Sequence, residues 1–217
     1  MKYFLTLVKQ DLFTKIFHEN YLINLVFSTL LIMLSLYITN NQILNVSTII
    51  LPFAIACIIQ NKSIFNDESH THYLEQIIVS GCAPYIIALA KFVVTYFNLC
   101  VAFLVILFVF FLLGNTALEV QIKIFKIFLI YSISLSSTAL LSSALTIKTK
   151  SNYWLGLLIS FPLMLLFFMY LFPILSFYLE INNIPNNIST DLQIFCSLSI
   201  ISFVISIFAC SYLISKI

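Results

Sequence analysis

Three histidines, five cysteines and eight carboxylates are what the 217-residue chain offers for acid–base, nucleophilic or metal chemistry. His70 and His72 flank Thr71 in a polar stretch, but a metal or haem site needs further donors at matching intervals, and none follows. Cys57, Cys82, Cys100, Cys196 and Cys210 show no C-x-x-C spacing, and four of them fall in apolar runs. There a cysteine acts as a small hydrophobe, which argues against a disulfide framework or a zinc site. The phosphate loop G-x-x-x-x-G-K-[ST] is missing, so the chain does not hydrolyse ATP in the P-loop manner, and H-E-x-x-H is missing too. The centres of the apolar runs hold no carboxylate, the group on which proton- or sodium-driven relays depend. They also hold no nucleophile–base pair, so an intramembrane enzyme is the least supported class.

The elements that position these residues are membrane helices. Hydrophobic residues make up 62% of the chain and charged residues 8%, with a mean hydropathy of +1.10. Soluble domains carry about a quarter charged residues, too many to match this chain. The apolar runs predict an all-α integral membrane protein with six spans, at about 21–38, 46–59, 92–113, 124–147, 154–175 and 192–214. The second is the shortest, ending at Gln60-Asn61-Lys62. Residues 1–217 read as one permease domain. Within residues 1–20, Leu5, Val8, Leu12 and Ile16 form an apolar stripe, which predicts a helix lying in the membrane interface. A cleavable signal is not expected there, because 1–20 lacks a continuous apolar core.

All ten basic residues are lysine, and no basic stripe points to nucleic acid. With the N-terminus in the cytoplasm, the inner side carries Lys2, Lys9, Lys15, Lys62, Lys91, Lys148, Lys150 and Lys216; the outer side keeps Lys123 and Lys126. That asymmetry predicts both termini inside. Lys91 and Lys126, at span edges, read as anchors reaching to the interface. Ser132, Ser136, Ala139 and Ser143 share a face of the fourth span, as Ser199, Ser202, Ser206 and Ala209 do on the sixth. Such faces serve helix packing or form a polar wall, and packing is the favoured reading. Pro162 and Pro173 predict kinks in the fifth span.

The long cytoplasmic connection, 60–91, carries the most information. Asp67 and Glu68 precede a short amphipathic piece in which Leu74, Ile77 and Ile78 share a face. That pattern describes either a solvated surface helix or a coupling helix that offers an apolar ridge with acidic flanks to a soluble partner. Phe65, Asp67-Glu68, Leu74-Glu75-Gln76 and Ala90-Lys91 stand at intervals that resemble the cytochrome c maturation protein B family (CcmB, haem exporter protein B). Lys150 before the fifth span and Pro162 within it add to the likeness, as do the length and the six spans. Thr71-His72 stand where the family often has Asp-Gly, so the Gly-dependent turn expected there is missing from the sequence.

The resemblance implies the membrane subunit of an ABC-type complex for c-type cytochrome biogenesis. Phe65, Asp67, Glu68, Leu74, Glu75 and Gln76 would then couple to a cognate ATPase, which hydrolyses the ATP. A Trp-rich haem-handling membrane protein, a periplasmic haem chaperone and a second copy of the permease are the other implied partners. Haem would be cargo, or would leave on the loaded chaperone, and no cofactor would be bound directly. Trp154 is the only tryptophan, in keeping with a mechanical role. The implied location is the bacterial inner membrane or, alternatively, the mitochondrial inner membrane. A general ABC-2-type export permease for lipid, polysaccharide or drug shares this architecture, and a non-transporting membrane scaffold is the rival from another class.

Overall fold

A computed structural model of the chain describes residues 2–13, 21–39, 64–65, 73–114, 118–146, 153–178 and 188–216. Every element among them is helical: α1 (Lys2–Phe13), α2 (Tyr21–Thr39), α3 (Tyr73–Val79), α4 (Pro84–Gly114), α5 (Leu118–Thr146), α6 (Tyr153–Tyr178) and α7 (Ile188–Ile214). Four helical stretches, 84–112, 118–145, 160–178 and 189–214, are long and apolar enough to cross a membrane. The first predicted span coincides with the 19-residue α2. The second, at 46–59, lies outside the described residues, as do Asp67, Glu68 and all three histidines.

The 31-residue α4 starts eight residues before the predicted span, at Pro84. Proline suits the first position of a helix, where its missing N–H would have no intrahelical acceptor anyway. The amide of Ile86 donates to the Ala83 carbonyl at 2.9 Å and continues the capping turn. With about 1.5 Å of rise per residue, α4 reaches about 46 Å, longer than a hydrocarbon core of about 30 Å. Its first two turns, apolar themselves, extend the run ahead of Lys91.

The bundle is organised around α5, which packs on α4, α6 and α7, while α1 and α2 lie against α4. Burial on several sides explains the composition of α5. Ser132, Ser134, Ser136, Ser137, Thr138, Ser142 and Ser143 are all buried, and small side chains let the neighbouring backbones approach. The predicted face of the sixth span does meet α5, but the partner residues there are Ser134 and Ser137. Their hydroxyls lie 2.7 Å from Ser199 and 2.8 Å from Ser202. Ser132, on the face that sequence spacing singled out, instead meets Cys100 of α4 at 3.4 Å. These hydroxyls also bond to carbonyls one turn back, as Ser137 does to Ser134 at 2.7 Å. Hydroxyls engaged in this way serve packing. Each interhelical bond is worth about 0.6 kcal/mol in a membrane bundle.

In the middle of α5, Tyr131 is surrounded by Phe103, Phe128, Phe168 and Phe195, with ring centroids 6.0–6.4 Å away. Phe92 of α4 meets Phe203 of α7 edge to face at 4.6 Å. Aromatic edges and faces carry opposite partial charge, so such pairs add to the dispersion that holds the bundle together.

Among the described residues, a buried amide in α4 is left without a partner. Asn98 of α4 is fully buried, and neither its amide oxygen nor its amide nitrogen has a hydrogen-bond partner. An unpaired amide away from water costs about 1–3 kcal/mol. Asn98→Leu, similar in volume and apolar, is therefore expected to stabilise the purified protein by about that amount. Denaturant unfolding in mild detergent measures it; an unchanged or lowered midpoint would show that the amide is satisfied in the membrane.

Candidate functional site

The short helix α3 and the joint that ties it to α4 bring the residues singled out in the cytoplasmic connection into one place. Leu74 is 2% exposed, and Ile77 and Ile78 pack against the same hydrophobic core. Ile64 and Phe65 are buried in that core too. The apolar ridge thus faces the chain's own bundle. The side left open carries Glu75, Gln76, Val79 and Ser80, which line a shallow open depression. Val79 is 86% exposed. Of the six coupling candidates, Glu75 and Gln76 lie on this open face. Phe65 and Leu74 are buried supports, and Asp67 and Glu68 lie outside the described residues.

The turn after α3 is a glycine cap. Gly81 has φ +84°, a left-handed conformation that suits a residue without a Cβ. Its amide donates to the Ile78 carbonyl at 3.0 Å, and the Cys82 amide donates to the Ile77 carbonyl at 3.4 Å. This pair of bonds is the Schellman arrangement, with the buried Cys82 beyond the glycine. The resemblance points to a glycine turn ahead of the Leu-Glu-Gln triplet, where Thr71-His72 stand instead; the structure has a glycine turn behind it. Ala83 and Pro84 then start α4, so α3 joins α4 without a flexible linker.

Two turns into α4 stands Lys91. As an interfacial anchor it would reach to the membrane surface, but it is 2% exposed, and its Nζ lies 2.8 Å from Asp11 Oδ2 of α1. The reason is the early start of α4, which puts Lys91 inside the helix and against α1. The stripe predicted for α1 is also shifted. Leu5 is 61% exposed, while Phe4, Leu7, Val8 and Leu12 are half-buried around the buried Asp11. Asp11 was not among the sequence candidates. The signal for it was present: Phe4, Leu7, Val8, Asp11 and Leu12 follow helical spacing, which puts the carboxylate on an apolar face.

Among the described residues no group of three His, Cys, Asp or Glu side chains is arranged to hold a metal ion. A cleft of about 160 Å³ between α5, α6 and α7 is lined by apolar side chains with Ser137, Thr138 and Ser202 at its floor. That is about the size of an apolar cavity that accepts benzene. The described residues thus offer a surface helix packed on the bundle and a buried charge pair two turns into the helix that follows it.

No curated protein matches the chain. The family model described as CcmB protein matches residues 2–215, nearly the whole length, through α1, the α3 arm and every long apolar helix. The chain is a membrane protein that belongs to the CcmB protein family.

Proposed function

We propose that this chain is the permease subunit of an ABC-type complex for c-type cytochrome biogenesis, and that α3 is the element on which a cognate ATPase docks. Family membership supports a role as a membrane component of cytochrome c maturation. The observation that carries the docking reading is the polarity of α3. Its apolar side is fixed to the bundle, and Glu75, Gln76, Val79 and Ser80 face outwards, joined through Gly81 to a helix of 31 residues. A partner pressing on that face moves the end of a membrane helix.

In this reading ATP is hydrolysed by the partner, and closure of its nucleotide sites drives the spans. The work released delivers haem or frees the haem-loaded periplasmic chaperone. A Trp-rich haem-handling membrane protein completes the set, and two permease copies pair. The lysine distribution supports both termini in the cytoplasm; six spans in a bacterial inner membrane complete the reading. Tyr3, Leu5 and Phe13 are exposed on α1, a surface suited to lying in lipid headgroups.

Glu75→Lys tests the docking face. Reversing a charge at an interface costs several kcal/mol where a complementary charge sits opposite. Capture of the ATPase is expected to fall at least about tenfold, which is about 1.4 kcal/mol, while membrane insertion is unchanged. Full capture would remove α3 from the coupling role. Haem staining of c-type cytochrome in a host carrying the maturation operon, with and without this subunit, tests the function itself. Normal staining without the subunit would favour a general exporter.

A further inference from the structure

We propose that the Asp11–Lys91 ion pair is a positioning latch that makes α1 and the α3–α4 arm one moving body; the motion it transmits rests on the coupling reading of α3. Four observations carry this. The pair is sequestered, with side chains 7% and 3% exposed and a separation of 2.8 Å. A buried charge holds its partner tightly, because leaving it alone in a poorly solvated place is unfavourable. Asp11 also stands in the last turn of α1, where a negative charge opposes the helix dipole. It does not favour its own helix dipole there, whereas the cation of α4 lies 2.8 Å from it.

The path from the open face to the pair is stiff. Glu75 and Val79 sit on α3, the Gly81 cap fixes α3 on the start of α4, and Lys91 follows after two helical turns. Phe92, next to Lys91 on α4, meets Phe203 of α7 edge to face at 4.6 Å, so the joint sits where α1, α4 and α7 meet. A push on α3 therefore reaches α1 through bonded helix and one charge pair. With the pair broken, α1 keeps its half-buried apolar contacts but loses the link that fixes its register on α4.

The test uses the full chain, with Tyr3→Cys on α1 and Tyr85→Cys at the start of α4 carrying spin labels and the native cysteines replaced. Both tyrosines are exposed. In lipid nanodiscs the parent protein is expected to give one narrow distance distribution. Asp11→Asn and Lys91→Gln should each broaden it at least about twofold, and the reciprocal Asp11→Lys/Lys91→Asp protein should narrow it again. Haem staining of c-type cytochrome should fall in the single variants and recover in the swap. Narrow distributions in the single variants would overturn the latch, as would a swap that stays broad. If the distances follow the pair while Glu75→Lys still captures the ATPase, the latch stands and the docking reading fails.

Discussion

Lys91→Met is expected to destabilise the protein by about 3–5 kcal/mol, the range found when one partner of a buried ion pair is removed. The loss comes chiefly from Asp11. Its carboxylate is 7% exposed in the pair, and without Lys91 this sequestered charge loses the cation that lies 2.8 Å away. The double variant Asp11→Leu/Lys91→Met is expected to recover most of the stability, because an apolar pair of similar volume avoids desolvation on both sides. Denaturant unfolding of the parent, Asp11→Leu, Lys91→Met and the double variant in one detergent gives the cycle. A Lys91→Met protein within about 0.5 kcal/mol of the parent would mean that water reaches the pair, as in a surface ion pair. The stable double variant also separates roles: it has the packing and lacks the charge.

The long helices were legible in the sequence, since each apolar run must satisfy its own backbone within the bilayer. The fifth and sixth predicted spans, 154–175 and 192–214, lie inside α6 (Tyr153–Tyr178) and α7 (Ile188–Ile214). α6 continues through both Pro162 and Pro173. Starts were less legible. Hydropathy marks where the chain is apolar, whereas a helix runs until its caps stop it. Pro84–Ala90 and Leu118–Lys123 are helical although they precede the predicted spans. The Gly81 cap was not read from the sequence: the resemblance drew attention to the place before the triplet, where Thr71-His72 stand, and not to the glycine behind it.

At the candidate site, the amphipathic pattern of 74–78 was legible, but its orientation was not. A one-face helix of seven residues looks the same in sequence whether its ridge meets a partner or its own bundle. Only the contacts of Leu74, Ile77 and Ile78 with the core decide that question. Asp11 and Lys91 illustrate the same limit. Each reads alone as an ordinary charge near a membrane surface, and their pairing depends on how α1 lies on α4. The serine contacts were half legible: α7 uses the face its spacing showed, while α5 is buried on several faces, so spacing could not select Ser134 and Ser137 over Ser132 and Ser136.

Leu74→Ala and Val79→Ala should separate the two sides of α3. Leu74 is 2% exposed, so its truncation removes packing and leaves a cavity, expected to weaken the docking of α3 by about 2–5 kcal/mol. The loss is local, because α3 is one short helix outside the long ones. Hydrogen exchange at 73–79 should quicken by at least about tenfold, since each 1.4 kcal/mol of opening free energy is a factor of ten. Capture of the ATPase should fall with it, because its platform is loosened. Val79 is 86% exposed and touches little of its own chain, so Val79→Ala should leave stability within about 0.5 kcal/mol. If the open face is the docking surface, capture should nevertheless fall. The opposite pattern also has a clear meaning. Should Leu74→Ala abolish capture with unchanged exchange, and Val79→Ala leave capture intact, then α3 turns its ridge outwards when the partner arrives. The buried position of Leu74 would then be the resting state of a switch, with the core contacts of Ile77 and Ile78 broken on docking.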